Sequence, residues 1–210
     1  MTDFYDFFLA SYRNTPAVVI AIEAVVFVFG IISVWCARKE NILVYPTGLI
    51  ATTLTVYLLY RAGYIGDMLI NVYYSIMSVY GWFMWSKRGP DNDPLPISRT
   101  NSKQKLTGFA MFLVTIVVIF AIYRATGTEI APENYLDIFI SGLFFTGMWY
   151  MALKKIENWT LWIIGDFIAI PIYAYRGLGI LAFQYVIFTV LAIMAYMEWR
   201  KALNRSKTAT

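Results

Sequence analysis

The chain contains no histidine, and that absence removes the commonest general base and the commonest metal ligand. A zinc-dependent membrane hydrolase is disfavoured on this ground. Its one cysteine, Cys36, cannot close an intrachain disulfide, so cysteine usage says nothing about redox compartment. Charged residues make up only 14%, against roughly a quarter in a soluble domain. No Gly-x-x-x-x-Gly-Lys-Ser/Thr loop is present, so nucleotide hydrolysis is not expected to power this protein. A basic N-terminal region is missing too. Residues 1–16 carry Asp3 and Asp6, no long apolar core precedes Arg13, and a cleaved signal peptide is not expected. The spacing of Phe4, Tyr5, Phe7, Phe8 and Tyr12 suits a short segment lying in a membrane interface.

What is abundant is apolar surface. Hydrophobic residues reach 60% of 210, and mean hydropathy is +0.60. That balance implies an all-α integral membrane protein in a lipid bilayer. Seven apolar runs, at roughly 17–37, 42–60, 65–85, 106–124, 134–153, 158–175 and 178–199, are expected to form transmembrane helices. The only long connection, 86–105, holds Pro90, Pro94 and Pro96. All other connections are short, so consecutive helices should be antiparallel neighbours in one membrane domain spanning 1–210. The pI near 9.1 invites a nucleic-acid partner, but the basic residues flank the apolar runs and form no stripe. Topology explains them better. Thirteen of the 17 fall on one side of the seven spans and four on the other, namely Arg13, Arg61, Arg124 and Arg176. The positive-inside bias therefore predicts the N-terminus outside, the C-terminus in the cytoplasm, and 200–210 as a cytoplasmic tail.

Asp166 stands out within Asn158-Trp159-Thr160-Leu161-Trp162-Ile163-Ile164-Gly165-Asp166. A carboxylate deep in an apolar run is costly and usually faces a cavity where it has a task. Trp159, Trp162 and Asp166 follow i, i+3, i+7 spacing and so share one stripe of a helix. A negative charge behind two indoles suits a small aromatic or cationic molecule. Asp166 should lie about 12 Å from one helix end, and Asn71 and Gln184 about 9 Å from the other. All three can then meet one ligand near the midplane. Plainer readings stand beside these. Trp159 and Trp162 would also suit an aromatic belt, Asp166 a structural carboxylate, and Asn71 and Gln184 interhelical glue. Tyr80, Trp82, Trp85 and Trp199 read as belt or packing residues. Glu23 is a second intramembrane acid with no assigned task, and Pro46 and Pro171 are expected to kink the second and sixth helices.

Landmarks recur between helices one to three (17–85) and five to seven (134–199), with 106–124 as a linking helix. Arg38-Lys39-Glu40-Asn41, Tyr45, Tyr60-Arg61, Asn71-Val72-Tyr73-Tyr74 and Trp85 are answered by Lys154-Lys155-Ile156-Glu157-Asn158, Trp162, Tyr175-Arg176, Gln184-Tyr185 and Trp199. Pairing Asn41 with Asn158 leaves 44 residues to Trp85 and 41 to Trp199, a difference ascribed to small insertions. One intervening helix gives both halves the same orientation. This is a 3+1+3 parallel repeat, with substrate expected between the halves.

Asn158-Trp-x-x-Trp162-x-x-x-Asp166, Tyr80-Gly81-Trp82-x-x-Trp85 and Gln184-Tyr185 together resemble the PnuC family of vitamin transporters, over most of the chain through Trp199. The resemblance implies a 3+1+3 fold, a homotrimer, and inner-membrane uptake of nicotinamide riboside by facilitated diffusion. A cytoplasmic kinase would then trap the product and supply NAD synthesis. It implies substrate-binding roles for Trp159, Trp162, Asp166, Asn71 and Gln184, with no cofactor and no metal. Position 166 is Asp where Asn is common, and position 71 is Asn where Gln is common, so thiamine or a deoxynucleoside remains an alternative substrate. A lipid-modifying enzyme, from another class, would need paired acids, for which Asp166 and Glu23 are the only candidates.

Overall fold

A computed structural model describes residue 8 and residues 12–13, 15–62, 65–89, 92–125, 127 and 132–208. Among these residues there are seven helices and no strand: α1 (Ala17–Arg38), α2 (Val44–Ala62), α3 (Ile65–Ser86), α4 (Ser102–Ala125), α5 (Pro132–Ala152), α6 (Glu157–Tyr175) and α7 (Gly179–Thr208). They match the seven apolar runs. By length and composition alone, α1, α4 and α7 can cross a membrane. The other four carry more polar residues within spans of similar length, and the bundle shelters many of these.

Helix ends differ from the apolar runs where capping decides them. α4 starts ahead of its apolar run because Asn101 and Gln104 form a reciprocal capping box. The Gln104 backbone N–H donates to Asn101 Oδ1 at 2.8 Å, and the Asn101 N–H donates to Gln104 Oε1 at 3.0 Å. α2 starts at Val44, after Asn41 Oδ1 accepts the Leu43 N–H at 2.9 Å. Pro46 therefore sits in the first turn, where its missing N–H leaves nothing unsatisfied. Of the two prolines expected to kink helices, only Pro171 lies in a helix interior, within α6. α7 continues through the segment expected as a tail. Phe4, Tyr5, Phe7 and Pro90 lie outside the described residues. Phe8 packs edge-on against Phe183 with ring centroids 6.4 Å apart.

The principal helix contacts close a ring. α1 packs on α2, α2 on α3, α3 on α5, α5 on α6, α6 on α7, and α7 back on α1, while α4 lies outside against α5. The connection between α3 and α4 docks on the α5–α6 turn, where the Ser98 N–H donates to the Lys154 carbonyl and the Ile156 N–H to the Ser98 carbonyl, each at 3.0 Å.

α1 and α5 end alike. The Glu40 and Asn41 N–H groups donate to the carbonyls of Ala37 and Cys36, and those of Lys154 and Lys155 donate to Met151 and Tyr150. Each set is a Schellman cap. The left-handed position, usually glycine, is Glu40 at φ 53° and Lys154 at φ 48°. These two residues, 114 positions apart, form an ion pair at 3.1 Å with the Lys154 side chain 5% exposed. The same separation relates the α2 and α6 starts, where the Val44 and Tyr45 N–H groups answer those of Asn158 and Trp159. It also relates Trp85 to Trp199. The Trp85 indole donates to the Met151 carbonyl at the end of α5, and the Trp199 indole to the Ala37 carbonyl at the end of α1.

These turns correct the landmark pairing. Asn41 corresponds to Lys155, from which Trp199 is again 44 residues away, and no insertion is needed. The shared asparagine misled because its two copies do different work. Asn41 caps α2, whereas the Asn158 amide donates to the Lys155 carbonyl.

Candidate functional site

All six ring helices line one cavity of about 190 Å³, bounded by Tyr45, Trp159 and Met151 near the Glu40–Lys154 end and by Gly30, Thr52, Tyr74 and Asp166 farther in. α4 contributes nothing to its lining. Trp159, Trp162 and Asp166 all face it, as their shared stripe on α6 requires. Trp159 is 1% and Asp166 2% exposed. The two remaining candidates stand one turn outside. Gln184 precedes the lining residue Phe188 on α7, and its Nε2 would lie 3.3 Å from a Cβ built on Gly30. Asn71 precedes the lining residue Tyr74 on α3, and its carbonyl accepts the Ser75 hydroxyl at 3.0 Å.

The polar atoms of the lining are unusual. Among the described residues, the buried side-chain atoms without a hydrogen-bond partner include Trp159 Nε1, Trp162 Nε1, Asp166 Oδ1 and the Tyr45 hydroxyl. Nearly all buried polar groups in folded proteins are paired, because an unpaired one forfeits about 1–3 kcal/mol. All four belong to residues that line the cavity, whose open surface is mostly apolar. The Asp166 carboxyl group gives the α6 wall a polar end, and the indole faces add quadrupoles that attract cations.

Sequence reasoning missed much of the enclosure. Tyr45 packs edge-on against Trp85 with centroids 5.1 Å apart. Its ring lies where a Cβ on Gly81 would be, so the Tyr80-Gly81-Trp82 motif owes its glycine to this close approach. Trp85 and Trp199 are buried in the core, as packing residues should be, whereas Tyr80 and Trp82 are exposed on the outer face of α3. Beyond Asp166, Phe144 stacks on Trp162 at 4.9 Å, parallel to Tyr185 at 6.4 Å, which in turn stacks on Tyr173 at 5.1 Å. Tyr185 was visible beside Gln184, but an aromatic in an apolar run carries no sign that distinguishes it from packing. Ser33, Gly48, Thr52 and Ser78 were equally silent. Small residues in such runs usually serve helix packing.

Glu23 lies apart from this cavity. It accepts a hydrogen bond from Tyr12, and burial, followed by this carboxylate, pushes the Tyr12 phenol up to about 12. Among the described residues the lining holds no acid besides Asp166, so Asp166 and Glu23, the pair a lipid-modifying enzyme was expected to need, are not brought together there.

The fold and sequence are similar to proteins of known activity. The chain is 27% identical over 201 residues to the nicotinamide riboside transporter PnuC of Escherichia coli (strain K12), covering 85% of this chain and 84% of that protein. It is 22% identical over 129 residues to the riboflavin/roseoflavin transporter RibM of Streptomyces davaonensis, covering 59% of this chain and 58% of the other. Its fold is similar to that in the crystal structure of the vitamin B3 transporter PnuC, with a TM-score of 0.70 and 23% identity over 94% of this chain and 86% of that one. A profile of the family described as nicotinamide mononucleotide transporter matches residues 20–201. The protein, a ring of six helices around an acidic, indole-walled cavity, belongs to the nicotinamide mononucleotide transporter family.

Proposed function

We propose that the protein takes up nicotinamide riboside across the cell inner membrane by facilitated diffusion, supplying NAD synthesis. The observation that carries this reading is the cavity itself, shared by all six ring helices and fitted with an unpartnered Asp166 oxygen and two unpartnered indole N–H groups. The pyridinium ring of the substrate is flat, aromatic and positively charged. Stacking on Trp159 or Trp162 contributes about 0.5–2 kcal/mol, and Asp166 supplies the counter-charge. Asn71 and Gln184, one turn outward, meet the polar part of the ligand on its approach.

The two triple-helix halves act as a 3+1+3 parallel repeat with α4 as the linker. The recurring turns and the crossed tryptophan bonds support that arrangement. The thirteen-to-four division of basic residues supports a cytoplasmic placement for the Glu40–Lys154 end and an external N-terminus. There the ion pair joins the ends of two helices that are not ring neighbours, so it fastens the inner end of the pathway. Rocking of the halves would break it and open the cavity to the cytoplasm. Family likeness is the ground for a homotrimer.

Thiamine, also a flat aromatic cation, is the second reading. RibM is named for a different vitamin again, so likeness at this level leaves substrate choice to the cavity. A thermal-shift series with nicotinamide riboside, thiamine and a deoxynucleoside tests the proposal. The riboside is expected to raise the melting temperature most, as binding to the folded state requires. A larger shift with thiamine would favour the second reading, and no shift with any of the three would end both.

A further inference from the structure

We infer that the cavity opens at its Glu40–Lys154 end along the α1–α7 seam, while the α3–α5 seam, stapled by residues 92–101, serves as the hinge. This rests on the reading of the cavity as a transport pathway. The ring has two seams at which α1–α3 meet α5–α7, and all four helices that form them line the cavity. The seams are fastened differently. At the α3–α5 seam, contact runs from mid-helix to the end. The Tyr73 ring stacks on Phe145 at 3.8 Å, and its hydroxyl donates to the Phe145 carbonyl at 3.0 Å. About three turns farther along α3 comes the Trp85 indole bond to Met151. Lys154 Nζ lies 4.5 Å from the centre of that same indole.

The staple lies beyond these helices. Ser98 pairs side by side with Lys155, as strands do in a parallel sheet, through its two backbone bonds to Lys154 and Ile156. Lys155 Nζ donates to Ser98 Oγ at 2.8 Å, and Glu157 accepts the Thr100 N–H at 3.0 Å. Leu95 and Ile97 pack on the cluster that joins Tyr45 and Trp85 to Met151 and Trp159. The reach is short. Arg88 pairs with Pro94 close to the end of α3, so only residues 95–97 lead from that base to Ser98. Three residues extend about 10 Å at most, which leaves the end of α3 little freedom to part from the α5–α6 turn.

At the α1–α7 seam the fastening is by side chains near one end. The Trp199 indole reaches the Ala37 carbonyl at 3.3 Å, and Glu198 accepts from Arg38 at 2.6 Å with Lys39 Nζ 3.7 Å away. Farther in, Gly30 turns bare backbone towards Gln184 and Phe188. Among the described residues no loop backbone bonds across this seam, and α7 simply runs on to Thr208. Long side chains release by changing rotamer, whereas backbone pairing releases only when the chain itself moves. The α1–α7 seam is therefore the one that parts, and the Glu40–Lys154 pair breaks as it does.

The test locks each seam in turn, with Cys36→Ser as the background. Ser98→Cys with Lys155→Cys places two thiols side by side, within disulfide reach. Arg38→Cys with Glu198→Cys is joined by a short, reducible bifunctional methanethiosulfonate, and Lys39→Cys with Glu198→Cys is a second pair across the same seam. Uptake of nicotinamide riboside into proteoliposomes is measured before linking, after linking and after reduction, with melting curves throughout. Linking α1 to α7 is expected to lower uptake about tenfold or more, and reduction to restore it, as for a lid that must open in each cycle. The Ser98–Lys155 disulfide should leave uptake within about twofold of its reduced form, because a hinge keeps its contacts. Both linked proteins should melt no lower than their reduced forms. A block by the Ser98–Lys155 disulfide, or undiminished uptake with either α1–α7 pair linked, overturns the hinge while leaving the transport reading intact. Absence of uptake by the unlinked wild type removes that reading, and the hinge with it.

Discussion

The two walls of the cavity share a backbone and differ in chemistry. α1–α3 and α5–α7 close their turns with the same hydrogen bonds, and Trp85 and Trp199 cross to the opposite half in the same way. At the lining the likeness stops. Tyr45 faces Trp159 in the correspondence, Gly48 faces Trp162, and Thr52 faces Asp166. Turn geometry and the seating of a large indole tolerate few alternatives, so the two halves solve those problems alike. In the proposed reading, these divergent positions are the ones that meet the substrate.

The severest way to break the comparison is to remove its charged member. Asp166→Ala is expected to lower uptake into proteoliposomes by about a hundredfold or more, the scale of a lost charged hydrogen bond with its electrostatics. The melting temperature should change little, because the carboxylate oxygen has no partner to lose. Adding Thr52→Asp to Asp166→Thr returns the charge to the wrong wall, away from the indoles, and uptake should stay low. Recovery in that swap would mean the walls are interchangeable.

Next in size is the Glu40–Lys154 ion pair. Lys154→Ala leaves Glu40 without its partner, and the cost should fall at about 1–2 kcal/mol, between a surface pair and a buried one. The exchange of Glu40→Lys with Lys154→Glu should regain part of that stability, which urea unfolding would report as a shift in midpoint. Gly81→Ala displaces the Tyr45 ring and should destabilise by about 1–3 kcal/mol through overpacking. The Ala195 position in the other half already carries that Cβ, which sharpens the contrast between a wall that needs a tyrosine and one that does not.

The smallest effect lies outside the helix ring. The Tyr12 phenol, raised from 10.0 to about 12, favours its neutral form in the folded state. Its contribution is full below about pH 10 and is lost as pH climbs towards about 12. The difference in melting temperature between wild type and Tyr12→Phe should shrink over that window. A constant difference would separate Tyr12 from Glu23.

Much of this molecule was legible in its residues, for reasons that can be stated. Seven apolar runs predicted seven helices because a bilayer-length helix must hide its backbone and its side chains together. Asp166 announced itself because charge in such a run is expensive, and its stripe with Trp159 and Trp162 fixed their common face. Helix ends were misplaced where hydrogen-bonding side chains, not hydrophobicity, set them, as Asn101 and Gln104 do for α4. The small residues of the cavity lining were not legible. Serine, threonine and glycine in an apolar helix look the same whether they pack or bind, and only the shared cavity brings Ser33, Gly48 and Ser78 together.

Equilibrium binding of nicotinamide riboside to wild type and to Asp166→Ala, measured in one detergent with melting curves alongside, tests the central claim most directly. The account predicts saturable binding by wild type and an affinity at least about tenfold weaker for a variant that lacks the polar side chain. Equal affinities in two equally stable proteins would contradict it.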